Sequence, residues 1–230
     1  YNGGGDNEIA ARWKKGVGLS YDNQDTLVGN SVYFWRDIGV GYAWANSSTN
    51  FRTRGAPIGL NVHTYDIVVG TGNLNPISLL IGNQPDGTTV FRGSNTLSYT
   101  TFLSSSFPGI TSDDNLSVMW TGVFVAAEST TYSFGTRSDD GSVVYLDLNN
   151  DNDFADTGEL IVSNNYNQGA TSRTGEVTLA VGEYRIVIAF FQGTGGKEMG
   201  AKWRKGSATV YTNESYNFIT GNSIYFLRDF

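Results

Sequence analysis

Cysteine is absent from this 230-residue chain, and histidine occurs once, as His63. The first absence excludes a disulfide framework, thiol catalysis and cysteine-based zinc sites. The second excludes a histidine-rich metal cluster, and in NVHTYDIVV the lone imidazole follows Val62 in an alternating pattern, so it reads as an ordinary strand residue. Metal chemistry must therefore come from oxygen ligands. No run of lysine or arginine offers a path for a phosphate backbone. With a net charge of −7 and a pI near 4.6, nucleic acid is not an expected partner. No stretch approaches the roughly 20 apolar residues of a spanning helix, and residues 1–30 lack a charged start followed by an apolar core. A soluble chain without membrane insertion is expected, with any export signal outside it. GxSxG, HExxH and phosphate-cradling motifs are also missing, so no enzymatic activity is expected.

Runs of Ala, Glu, Lys and Leu at helical spacing are nearly absent too. In their place stand 29 glycines, many Asn, Ser and Thr, and 39% apolar residues, enough to bury a core. Alternation of apolar and polar residues predicts strands over Gly59–Val69, Leu116–Ala126, Thr130–Thr136, Ser142–Leu148, Glu176–Val181 and Glu183–Phe191. In the last of these, Tyr184, Ile186, Ile188 and Phe190 share one face, while Glu183 and Arg185 begin the other. Many short strands separated by turn residues predict an all-β, antiparallel two-sheet β-sandwich of jelly-roll or Greek-key type. Trp13, Trp120 and Trp203 fall in alternating patterns and read as core, with sugar stacking as the other use of such rings. Trp35, Trp44 and Tyr166 are candidates for exposed contacts.

YNGGGDNEIAARWKKG at the start aligns without gaps on FQGTGGKEMGAKWRKG, placing Trp13 on Trp203. The match runs through Tyr21 and Tyr211, then resumes after a two-residue slip with GNSVYFWRD against GNSIYFLRD. Such a period, roughly 190 residues, is the signature of an array of modules. Residues 1–40 are expected to be the closing strands of a preceding repeat or a strand-exchange segment, 41–56 a linker, 57–210 a β-sandwich, and 211–230 the last strand and linker of the repeat.

Three stretches carry candidate chemistry. Asp139 and Asp140 lie side by side where TYSFGTRS meets SVVYLDL. In an extended strand their side chains would diverge, whereas a cis peptide at the junction would turn both toward one point. A solvated turn is the plain alternative. The loop Gln192-Gly193-Thr194-Gly195-Gly196-Lys197 offers an amide oxygen and glycine-rich backbone that can aim carbonyls at a hard cation, or else a flexible hairpin tip. In DLNNDNDFADTGEL, oxygens at Asp147, Asn149, Asp151 and Asp153 recur at every second residue, followed by Glu159. An EF-hand would have Gly and Glu at its sixth and twelfth positions, where this loop has Asn152 and Gly158. A structural calcium loop of another kind is expected, because its acidic side chains would otherwise repel one another.

The segments LSVMWTGVFVAAEST, TYSFGTRSDDGSVVYLD and NQGATSRTGEVTLAVGEYRIVIAFFQGTGGKEMGAKW, in that order, resemble the PA14 family over about Ile58 to Gly206. The resemblance implies a β-sandwich module of the kind found in bacterial adhesins, glycosidases, toxins and yeast flocculins. Its lectin members hold calcium between two consecutive aspartates, joined by a cis peptide, and a second loop. Carried to this chain, the paired carboxylates are Asp139 and Asp140. Gln192 with Gly193, Thr194 and Gly195 forms the second loop, and Asp139, Asp140, Gln192 and Lys197 face the carbohydrate. The yeast lectins place asparagine where this chain has Gln192, so the sugar class does not carry over.

The resulting expectation is a calcium-dependent carbohydrate-binding module of a repetitive extracellular surface protein, binding glycans on cells or polysaccharide. The alternative is a calcium-stabilised subunit of an extracellular fibre, tube or surface layer, whose copies join through strand addition. An enzyme acting on glycosides would need two carboxylates set apart across the bond, one of raised pKa, rather than adjacent on one ion.

Overall fold

Strand formation follows the two-residue rhythm of the sequence closely. The computed structural model describes Arg12–Trp13 and Asp25–Thr26, then 58–66, 84–91, 96–102, 104–151, 153–208, 211, 217–219 and 226–227. The chain divides into two units, Tyr1–Gly55 and Ala56–Phe230. In the first, β1 (Arg12–Trp13) pairs antiparallel with β2 (Asp25–Thr26). The expected roles of the rest of residues 1–40, of the 41–56 linker, and of Trp35 and Trp44 lie outside the described residues.

The second unit holds β3 (Leu60–Tyr65), β4 (Gly87–Phe91), β5 (Ser98–Tyr99), β6 (Leu116–Ala126), β7 (Thr130–Asp139) and β8 (Gly141–Leu146). These are followed by β9 (Leu160–Asn164), β10 (Thr171–Leu179), β11 (Gly182–Gln192), β12 (Glu198–Lys205), β13 (Asn217–Phe218) and β14 (Phe226–Leu227). Among the described residues there is no α-helix, only a 3-10 turn at Ser104–Ser106. A 7-stranded sheet runs β4-β3-β6-β11-β8-β9 with β14 added on β6, and a 5-stranded sheet runs β10-β7-β12-β13 with β5 on β12. Every pairing is antiparallel, so the fold is the expected two-sheet sandwich.

The core between the sheets is built by side chains at alternate positions. Ile186, Ile188 and Phe190 of β11 meet Val118, Trp120 and Phe124 of β6, facing Phe134, Met199 and Trp203 of the other sheet. Phe124 packs edge-on to Tyr132, Phe134 and Trp203, with ring centroids 5.2, 5.1 and 5.6 Å away. Trp120 and Trp203 are thus core residues, as their spacing indicated.

The opposite face of β11 differs from the expected polar surface. Glu183 is exposed and Arg185 half-buried, but Val187, Ala189 and Phe191 are buried with Tyr65, Met119, Val143 and Tyr145 in a second cluster. Phe154, from the acidic loop after β8, packs against it with its ring 6.2 Å from that of Tyr145. The 7-stranded sheet is therefore apolar on both faces along its middle strands, and simple alternation could not reveal that. His63 points to this side, half-buried, with Nε2 3.2 Å from Thr121 Oγ1, and burial pushes its pKa down.

Candidate functional site

The site grows out of how the chain changes sheets. β7 belongs to the 5-stranded sheet and β8 to the 7-stranded one, and Asp139 and Asp140 are the residues that carry the backbone across. β9 crosses to β10 through 165–170, and β11 crosses to β12 through 193–197. Register brings these crossings to the same end of the sandwich. Ser138 lies opposite Thr171, Asp139 opposite Glu198, Gly141 opposite Phe191, and Ser142 opposite Asn164. Three loops distant in sequence therefore converge on one pair of aspartates.

The peptide bond between Asp139 and Asp140 is cis. Asp140 is buried, and each of its carboxylate oxygens accepts one backbone N–H, from Gln168 at 3.1 Å and from Gly193 at 2.8 Å. A carboxylate oxygen has two lone pairs, so each retains one. Asp139 is half-buried. Burial, and next the neighbouring Asp140 charge, push its pKa up, while the Ala170 N–H and the Lys197 ammonium act the other way. Its carboxylate lies so close to Gly196 that a Cβ there would collide with Oδ2. Gly195 has φ +99°, a left-handed conformation suited to glycine. The next strand starts tightly as well, since a Cβ at Gly141 would meet the Phe191 ring.

Gln192 ends β11 on the face that carries Ile188 and Phe190. It is fully buried, and neither its Oε1 nor its Nε2 has a hydrogen-bond partner. Below it a polar network ties the sheets together. Ser138 Oγ lies 2.7 Å from Ser142 Oγ, which donates to Thr136 Oγ1 at 2.8 Å. Asn164 Nδ2 donates to Ser138 Oγ and to the Thr171 carbonyl, and Gln168 Nε2 donates to Asn164 Oδ1 at 2.8 Å.

The structure sets Asp139 and Asp140 against the backbone of Gly193 and Gly196, with Gln192 as the last residue of the strand that leads into that crossing. Thr194 and Gly195 are exposed on the rim. Lys197 is engaged beside it, with Nζ 2.7 Å from Asp114 Oδ1 and 3.4 Å from the Gly195 carbonyl. Residues not singled out from sequence complete the surroundings. These are Asp114, Asn115, whose N–H donates to the Gly193 carbonyl at 2.8 Å, Asn167 and Gln168.

These groups have the chemistry of a hard-cation site: the donors are all oxygen, two adjacent carboxylates raise one another's charge cost, and the Gln192 amide oxygen has no hydrogen-bond partner.

The acidic loop after β8 divides its residues between two tasks. Asp147 and Glu159 are buried and hold the loop's backbone. Asp147 Oδ1 accepts from Asn150 N at 2.6 Å, and Glu159 accepts from Leu148 N and Asp156 N at 2.9 and 3.1 Å. Asp151, Asp153 and Asp156, all exposed, bring carboxylate oxygens within 4.8 Å of one another. Asn149 lies among them, donating to Asp151 and Asp156.

A family model described as the PA14 domain matches residues 82–213. Among solved structures, the chain is similar to a PA14 sugar-binding domain from an RTX adhesin, with 21% identity and a TM-score of 0.54 over 76% of this chain and 100% of that one. It is also similar to an anti-sigma factor domain-containing protein from Clostridium clariflavum, with 18% identity and a TM-score of 0.50 over 75% of this chain and 47% of that one. No curated protein sequence matches it.

Proposed function

The chain belongs to the PA14 domain family, and from that premise we propose that it is a carbohydrate-binding module of an extracellular surface protein, acting in adhesion without catalysis. The observation that carries this reading is Gln192. A buried carboxamide without partners is costly in a finished core, and this one immediately precedes Gly193, whose N–H holds Asp140, in the glycine-rich crossing that packs against both aspartates. In this reading Asp139, Asp140 and Gln192, with carbonyls of 193–196, hold a calcium ion. Bound there, calcium supplies open coordination positions that neighbouring hydroxyls of a glycan can take, since it accepts six to eight oxygens.

The protein's own groups do the rest. Gln168 and Gly193 N–H fix Asp140, and Ala170 N–H supports Asp139. Lys197 steadies the 193–197 loop through Asp114. Tyr166, two residues before Gln168, is 52% exposed with the Arg173 guanidinium 4.8 Å from its ring centre, a flat surface for a pyranose to stack on. That the similar RTX adhesin domain is a sugar-binding one agrees with this reading. Asp151, Asp153 and Asp156 would hold a second, structural ion, with Asp147 and Glu159 fixing the loop backbone that presents them.

The test is a glycan array with the purified chain, with and without a chelator, beside the Asp139→Asn/Asp140→Asn variant. Binding that both the chelator and the variant abolish is the expected result. Glycan binding that survives both would refute the assignment of the site, and binding of calcium without any glycan would refute the lectin.

A further inference from the structure

In the unit Tyr1–Gly55, β1 pairs β2 with Arg12 opposite Thr26 and Trp13 opposite Asp25. In the unit Ala56–Phe230, β12 pairs β13 with Lys202 opposite Phe218 and Trp203 opposite Asn217. The sequence repeat carries Arg12 onto Lys202 and Trp13 onto Trp203. After the two-residue slip it carries Asp25 onto Asn217 and Thr26 onto Phe218. The two hairpins thus pair equivalent residues in one register, and the slip is confined to the connection between the strands. Register matters because a shift of one residue would send every side chain to the opposite face.

In the second unit this hairpin closes the 5-stranded sheet. β12 lies between β13 and β7, with Trp203 opposite Phe134 and Lys202 opposite Gly135. Ile219, just after β13, is buried; its N–H donates to the Ala201 carbonyl and its carbonyl accepts from Leu97 N–H. In the sequence repeat Leu27 aligns with Ile219. Among the described residues, β1 has a pairing partner on one side only, β2. Two pairings of the same register are thus described beside one sandwich body. A lone two-stranded ribbon is marginal in water, and its open edge is a template for another strand.

We propose that Asp25–Thr26 can take the place of Asn217–Phe218 on β12 of a second copy, with Thr26 opposite Lys202 and Asp25 opposite Trp203, since β7 of every copy is already flanked by β10 and β12 and the outermost strand of that sheet is the one open to exchange. The partner is a second copy, joined by strand addition, and the inference stands independently of calcium and sugar.

If the hairpins are equivalent, one can replace the other. The absence of cysteine makes engineered thiol pairs unambiguous. The full chain carrying Lys202→Cys and Phe218→Cys is the reference and should form an intrachain disulfide. Chains with Lys202→Cys and Ile219→Ala, which loosens the native closing strand, are then mixed with chains carrying Thr26→Cys. An interchain disulfide is expected, lost when Leu27→Asp is added to the donor. Because Ile219→Ala can unfold the acceptor, the same pair is also oxidised in the Ile219 background at high concentration, where a slower cross-link with the same dependence on Leu27 is expected. No cross-link in either background, while the reference pair closes, overturns the proposal.

Discussion

A buried carboxamide that bonds to nothing costs a fold about 1–3 kcal/mol, and Gln192 is in that position. Gln192→Leu should leave the metal-free chain as stable as before, or more stable by up to about 2 kcal/mol. It should also weaken calcium binding by about tenfold or more, that is about 1.4 kcal/mol. Thermal melting in chelator and calorimetric titration with calcium read the two effects separately, and unchanged calcium affinity would remove Gln192 from the ligand set. Tyr65 and Tyr99 yield a pH prediction. Burial pushes both phenols up to about 12 from 10.0. The native state therefore holds protons that the unfolded chain releases first, so their contribution is complete below pH 10 and is lost as pH rises toward 12. Melting temperature should fall across that window, and less steeply in Tyr65→Phe and Tyr99→Phe. The aspartate pair and Gln192 were visible in the sequence because a family pattern marks them. Asn167 and Gln168 were not, since polar residues in a loop carry no spacing, and only the β9 to β10 crossing brings them to Asp140.

At the level of elements, the rhythm of the sequence located strands better than their ends. β6 has the expected bounds, Leu116–Ala126, whereas β7 runs past Thr136 to Asp139 and β10 begins at Thr171 rather than Glu176. Both extensions reach the polar rim, where backbone pairing continues after side-chain alternation has ended. Gly175 marks a close passage of β10 against β9 of the other sheet, because a Cβ there would strike the Ile161 carbonyl. Gly175→Ala should therefore cost about 1–3 kcal/mol, as overpacking does elsewhere, and denaturant titration would show it as a lower midpoint. A midpoint equal to that of the parent would mean that the two strands separate at no cost. Phe154 joins the acidic loop to the second apolar cluster, which no local pattern could announce because the cluster gathers residues from five strands or loops.

For the molecule as a whole, any ion that binds only the folded form adds stability by mass action, about 2.7 kcal/mol at a hundredfold excess over Kd. The melting temperature should rise with calcium concentration and fall back on chelation. It should rise less in Asp139→Asn/Asp140→Asn, where only the acidic loop remains to respond. A melting temperature indifferent to calcium in the parent chain would dismiss both ion sites.

The three crossings beside Asp139, Asp140 and Gln192 also have a mechanical meaning. In the proposed adhesive role the module would be pulled, and shear across a sandwich tends to slide one sheet over the other. Here the backbone passes between the sheets three times at one end, and the buried Ser138, Ser142 and Asn164 network fastens them again just beneath. Three crossings and that network resist slipping at this end of the described sandwich, so groups that grip a ligand there would keep their spacing under tension.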